Sequence, residues 1–156
     1  MNRKKWQILM IILIITTYVF IFGNSLQPVS ESRAESLSVL ERVKPVIELF
    51  VGQGNVTDHL VRKIAHFTEF FVLGLEWLVF VSLSKKINGQ HIANCLFIGL
   101  ASAVTDESLQ MLSPGRGPQV SDVLLDFSGA CFGILVMVTI LFLRRQYIKR
   151  KKVEDK

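Results

Sequence analysis

Cysteine is scarce: Cys95 and Cys131 are the only two in 156 residues. Both fall inside long apolar runs and neither stands at a metal-motif spacing, which argues against a structural disulfide or a thiolate metal centre. They read as small apolar packing residues. Also missing are a Ser-His-Asp arrangement, a nucleophilic-cysteine signature and a glycine-rich loop of the phosphate-cradling kind. No small-x-small cleavage pattern follows the first apolar run in Phe22-Gly23-Asn24-Ser25-Leu26-Gln27, so that run reads as an uncleaved span rather than a signal peptide.

Hydrocarbon is plentiful. Half the residues are hydrophobic, the mean hydropathy is positive, and the apolar residues concentrate in four segments at about 6–22, 64–83, 92–112 and 123–143. Each can cross roughly 30 Å of hydrocarbon at about 1.5 Å per residue, and a soluble chain this short could not bury four. The expectation is an all-α polytopic membrane protein: one domain over 1–156, a four-transmembrane-helix bundle surrounded by lipid.

The formal charge of +5 does not point to nucleic acid, because of where the cations lie. Twelve of the eighteen Lys and Arg residues fall in Arg3-Lys4-Lys5, in Lys85-Lys86, or in the tail 144–156. Four spans put all three regions on one side, and positive flanks mark the cytoplasm. Both termini are expected inside a bacterial cell membrane, with the loops 24–63 and 113–122 outside. The basic tail reads as a stop-transfer anchor that also suits anionic headgroups.

The loop 24–63 carries a helical signal of its own. Pro28 closes the first span, Ser32 and Glu35 have capping-box spacing, and Leu37, Leu40, Val43, Ile47 and Phe50 approximate an apolar stripe. Pro45 should interrupt or kink this helix, and Gly52-Gln53-Gly54-Asn55 should end it. Such an amphipathic element lies on the outer membrane surface or covers the mouth of the bundle.

Acids within hydrocarbon are the informative anomaly, since each costs roughly 2.5–3.5 kcal/mol at a membrane helix centre and survivors face a bundle interior or a watery cavity. Thr57 or Asp58 caps the second span, on which His66, Glu69, Leu73 and Glu76 share a sector of about 80°. On the third span Gly99, Ser102, Ala103, Asp106 and Gln110 share a face, with Glu107 adjacent. On the fourth, Asp122, Asp126, Gly129 and Gly133 do, in a close-packing G-x-x-x-G pattern. The topology brings Lys63, His66 and Glu69, then Asp106, Glu107 and Gln110, then Arg116, Asp122 and Asp126 to the same outer leaflet depth. Glu76 lies deeper.

Several motifs in order resemble the VanZ-like family of bacterial membrane proteins. They are Phe22-Gly23-Asn24-Ser25-Leu26-Gln27-Pro28, Arg62-Lys63-Ile64-Ala65-His66-Phe67-Thr68-Glu69-Phe70, Thr105-Asp106-Glu107-Ser108-Leu109-Gln110, Gly115-Arg116, and Ser121-Asp122-Val123-Leu124-Leu125-Asp126-Phe127-Ser128-Gly129-Ala130. The resemblance covers about residues 8–140. It implies a cell-envelope protein, since the family takes its name from a protein giving low-level resistance to the glycopeptide teicoplanin. It also places Lys63, His66, Glu69, Asp106, Glu107, Gln110, Arg116, Asp122 and Asp126 at family motif positions.

Three functions remain open on these residues. An enzyme acting on a lipid or lipid-linked cell-wall precursor would draw its acid and base from His66, Glu69, Asp106, Glu107, Asp122 and Asp126, with Lys63, Gln110 and Arg116 binding substrate. A binding protein would use the same groups to hold an amphiphile or a glycopeptide antibiotic without turnover. A structural reading makes the polar seam an ion-pair network that fixes helix packing. No resident metal or other cofactor is read from the sequence. His66, Glu69 and Asp106 are the weak candidate ligands, because bundle sites generally run Glu-x-x-His and this chain has the reverse order.

Overall fold

The computed structural model describes residues 3–51, 57–115, 117 and 119–154, and the described residues form five helices. These are α1 (Arg3–Ser25), α2 (Val29–Val51), α3 (Asp58–Ser84), α4 (Gly89–Gln110) and α5 (Val120–Glu154). All but α2 are long and apolar enough to cross a membrane. The protein is therefore an all-helical, multi-pass membrane protein.

Helix boundaries follow local chemistry. Thr57 caps α3 by accepting from the Leu60 backbone N–H at 3.2 Å, which decides between Thr57 and Asp58. Asn88 and His91 form a reciprocal capping box at the start of α4. The third span was expected to reach residue 112, but α4 stops at Gln110. The Leu112 and Ser113 N–H groups fold back onto the carbonyls of Leu109 and Gln110, and Met111 and Leu112 are exposed. Gly115 supplies a left-handed turn with φ 82°. Past residue 143, α5 runs straight on into the basic tail, because Lys and Arg are good helix formers.

Helix α2 continues through Pro45 instead of being interrupted there. An exposed helix loses one backbone bond at proline, which its neighbours can carry. Pro28 opens this helix as well as closing α1, accepting from the Glu31 and Ser32 N–H groups at 3.1 Å. Gly52–Asn55 and the side chains of Glu35, Val43, Ile47 and Phe50 lie outside the described residues. Helix α2 leans on α3.

The spanning helices alternate in direction. Gln7 near the start of α1 bonds Ser84 at the end of α3 at 2.6 Å, and Lys63 near the start of α3 pairs with Asp122 near the start of α5. Arg3–Lys5, Lys85-Lys86 and the end of α5 therefore share one end of the bundle. The opposite end collects the acids.

The largest interface is α3 against α5, and small residues make it possible. A Cβ on Gly129 or Gly133 would come within 3 Å of the backbone carbonyl of Phe67 or Phe71, and one on Gly74 would meet that of Ala130. Backbones approach this closely only where side chains are missing. Around this seam, Ile14, Ile21, Phe70, Leu73, Ala103 and Ala130 form one core, and Leu78, Cys95 and Ile134 form a second toward the basic end.

A hydrogen-bond relay fastens α1 to this core. Ser102 Oγ donates to the Ile98 carbonyl at 2.8 Å, so Tyr18 must donate to Ser102 Oγ at 2.7 Å. The Tyr18 oxygen in turn accepts from Trp77 Nε1 at 3.2 Å. Tyr18→Phe removes two bonds and should cost about 1–2 kcal/mol at the scale of such bonds in membranes. The measurement is detergent thermal unfolding followed by tryptophan fluorescence. Unchanged emission and an unchanged Tm would remove the relay from the account.

Candidate functional site

The polar end is assembled by four helices and the α4–α5 turn. Asp106 sits in α4 with no exposed surface. Its Oδ1 accepts from Ser25 Oγ of α1 at 2.5 Å, and its Oδ2 from Gln110 Nε2 one helical turn on, at 3.0 Å. From α3, His66 presents Nδ1 at 3.8 Å from Asp106 Oδ2 and 3.6 Å from Asp126 Oδ1. Asp126, from α5, is 1% exposed, and neither of its oxygens has a hydrogen-bond partner. These three residues, far apart in sequence, place a donor atom each within 4.8 Å of one another.

Above them opens a cavity of about 260 Å³, lined by His59, Arg62, Lys63 and His66 of α3, Gln110 of α4, Gly115, Gly117 and Gln119 of the turn, and Asp122, Leu125 and Asp126 of α5. Lys63 Nζ stands 3.5 Å from Asp122 Oδ1 at its side, both partly exposed. No described residue of α2 lines the cavity.

The remaining candidates point elsewhere. Glu107 is buried beneath the turn, where Oε1 accepts the Gln119 N–H at 2.5 Å. That bond sets where α5 begins, with the Asp122 and Val123 N–H groups folding onto the Gln119 carbonyl. Glu69 turns toward α1 and accepts from Asn24 at 3.4 Å. It stands outside the His66–Asp106–Asp126 group, although the sequence reading had placed it beside His66 and Asp106 as a weak metal candidate. The i, i+3 spacing puts Glu69 on nearly the same face as His66, but the turn between them carries it past the α4–α5 seam and onto α1. Glu76 likewise accepts from Thr17 of α1 at 3.0 Å. Arg116 lies outside the described residues.

Sequence reasoning passed over His59, Arg62, Gln119 and Ser25. The signal for Ser25 was present: it ends the first span at the depth where the acids gather. Ser113 was passed over as well, and its Oγ donates to the Gln27 carbonyl at 2.5 Å, tying the turn to the end of α1.

Chemically, the arrangement offers Arg62 and the paired Lys63 among the cavity's lining residues and a buried imidazole–dicarboxylate group at its floor. It can hold a polar head bearing charges of either sign, and its floor has the donor types of a divalent-metal site.

Comparison with curated proteins and with solved structures gives no significant match. A family model described as VanZ/LLP1 matches residues 9–143, which takes in all four spans and every residue of the polar end. The chain belongs to the VanZ/LLP1 family of membrane proteins.

Proposed function

We propose that this protein works in the bacterial cell envelope, with its polar end facing outward, and binds the charged head of a lipid-linked cell-wall precursor. In doing so it contributes to glycopeptide tolerance of the teicoplanin type. The observation that carries this reading is the cavity of about 260 Å³ lined by Arg62, Lys63, Gln110 and Asp122 together. Pockets for drug-sized ligands start at about 300 Å³, so this one suits a headgroup and is too small for a whole glycopeptide. The orientation rests on the basic end of the bundle, which positive flanking charge assigns to the cytoplasm.

Lys63→Ala separates binding from folding. The Lys63–Asp122 pair is about one-third exposed on each side and contributes at most about 1 kcal/mol. Membrane levels of the variant should match wild type, while teicoplanin tolerance in a susceptible host and saturable retention of labelled lipid-linked precursor by purified protein should both be lost. Retained tolerance at normal levels would overturn the reading. Retention of labelled teicoplanin in place of the precursor would move the ligand to the antibiotic. A thiol at Gly117→Cys should be labelled by an impermeant reagent in intact cells, and labelling only after lysis would invert the topology.

A further inference from the structure

We propose that His66, Asp106 and Asp126 form a binding site for one divalent cation of the class that accepts imidazole and carboxylate together, Zn²⁺ or Mn²⁺. The inference stands on the floor of the cavity alone and holds whether or not the cavity binds a lipid head.

Three features converge on it. The donor set, one nitrogen and two carboxylate oxygens, is of mixed type and suits these ions. The donor atoms lie within 4.8 Å of one another. His66 Nδ1 is 3.6 and 3.8 Å from the two carboxylates, against about 3.3–3.6 Å between tetrahedral ligands 2.0–2.2 Å from a metal. At the two imidazole contacts a small inward movement of His66 closes the difference.

The second feature is the contrast between the two acids. Asp106 is oriented by Ser25 and Gln110, as outer partners orient a metal-bound carboxylate. Asp126 has no such support: it is 1% exposed with both oxygens lacking a hydrogen-bond partner, and it faces His66 and Asp106. A carboxylate held this way is costly unless something satisfies it. A cation satisfies it, whereas a purely apolar contact would not. The third feature is access, since His66 and Asp126 also line the cavity. Solvent or a ligand oxygen can therefore complete the coordination, leaving the open position typical of a working site.

The competing account makes His66 a charged imidazolium bridging the two acids without metal. Asp126→Asn distinguishes the two by sign. If a cation is needed, the amide relieves an unsatisfied carboxylate, so the metal-free variant should unfold at or above the metal-free wild-type Tm. If an imidazolium bridge holds the site, the same change breaks the bridge and the metal-free Tm falls.

The experiment uses full-length, tag-free protein in detergent, stripped with chelator and dialysed separately against Zn²⁺ and Mn²⁺. Bound metal is read by elemental analysis and stability by thermal unfolding. Wild type should retain about one equivalent of at least one of the two ions and gain Tm with it. Asp126→Asn should bind that ion at least about 100-fold more weakly and lose the metal-dependent gain. Glu76→Gln, whose acid bonds Thr17 away from the group, should bind the ion as wild type does and show the same metal-dependent gain in Tm. Failure of wild type to retain either ion overturns the site. So does retention unaffected by Asp126→Asn, or a metal-free Tm lowered by it.

Discussion

Gly133→Leu should cost the protein about 3 kcal/mol or more and remove most of it from the membrane. The site leaves no room even for a methyl group: a Cβ on Gly133 would meet the Phe71 carbonyl and the Leu75 nitrogen of α3, both backbone atoms that cannot rotate away. Overpacking a tight interior costs about 1–3 kcal/mol even where side chains can adjust. Here an isobutyl group must push two helices apart along the largest interface in the bundle. Gly133→Ala should fall between leucine and wild type, at about 1–3 kcal/mol. Gly23→Ala is the control, because a Cβ there meets nothing within 4 Å and alanine is the better helix former. The quantities to compare are membrane abundance by immunoblot and the detergent unfolding midpoint. Wild-type values for Gly133→Leu would mean that α3 and α5 do not pack at this distance.

Asp106→Ala is expected to lower stability by about 3–5 kcal/mol, the range for removing one partner of a buried charged network. The loss comes from what remains: the buried Ser25 hydroxyl and the Gln110 amide give up the carboxylate they donate to. One tether from α1 to α4 goes with it, since Ser25 is fully buried at that contact, and the Tyr18–Ser102 bond is left to hold the pair. Asp106→Asn keeps an acceptor oxygen and should lose less. Thermal unfolding of chelator-treated protein checks both, and an Asp106→Ala midpoint equal to wild type would refute the network. The expectation for Asp126→Asn has the opposite sign in the same metal-free protein. Two aspartates of equal burial differ because one has hydroxyl and amide donors and the other has neither.

The four spans were legible because apolar run length is a one-dimensional property, and lipid leaves helices as the form those runs take. The small-residue face of α5 was legible for a related reason: Gly129 and Gly133 lie one turn apart on the face that carries Asp126. Its complement was not, because Gly74 sits among large residues of α3, and only the crossing with Ala130 shows why it is small. Periodicity also brought Glu69 and His66 together and then failed. Sharing a sector of one helix says nothing about which neighbour each edge of that sector meets. Glu69 meets Asn24 of α1, while His66 meets α4 and α5.

The role of Glu107 shows the same limit. Adjacent acids at Asp106 and Glu107 suggest a coupled pair, but successive residues on a helix point about 100° apart. Asp106 turns into the bundle, and Glu107 turns up to hold the Gln119 N–H.

By itself the sequence determined the class of protein, the number of crossings and the end of the bundle at which ionisable groups accumulate. Those follow from hydropathy, from length and from where lysine and arginine fall, all of them local or additive along the chain. Tertiary structure decided which acids face one another, which receive hydrogen bonds and which are left without them. Partner choice depends on helix rotation and crossing geometry, and those are fixed by close backbone contacts at Gly74, Gly129 and Gly133 between segments distant in sequence.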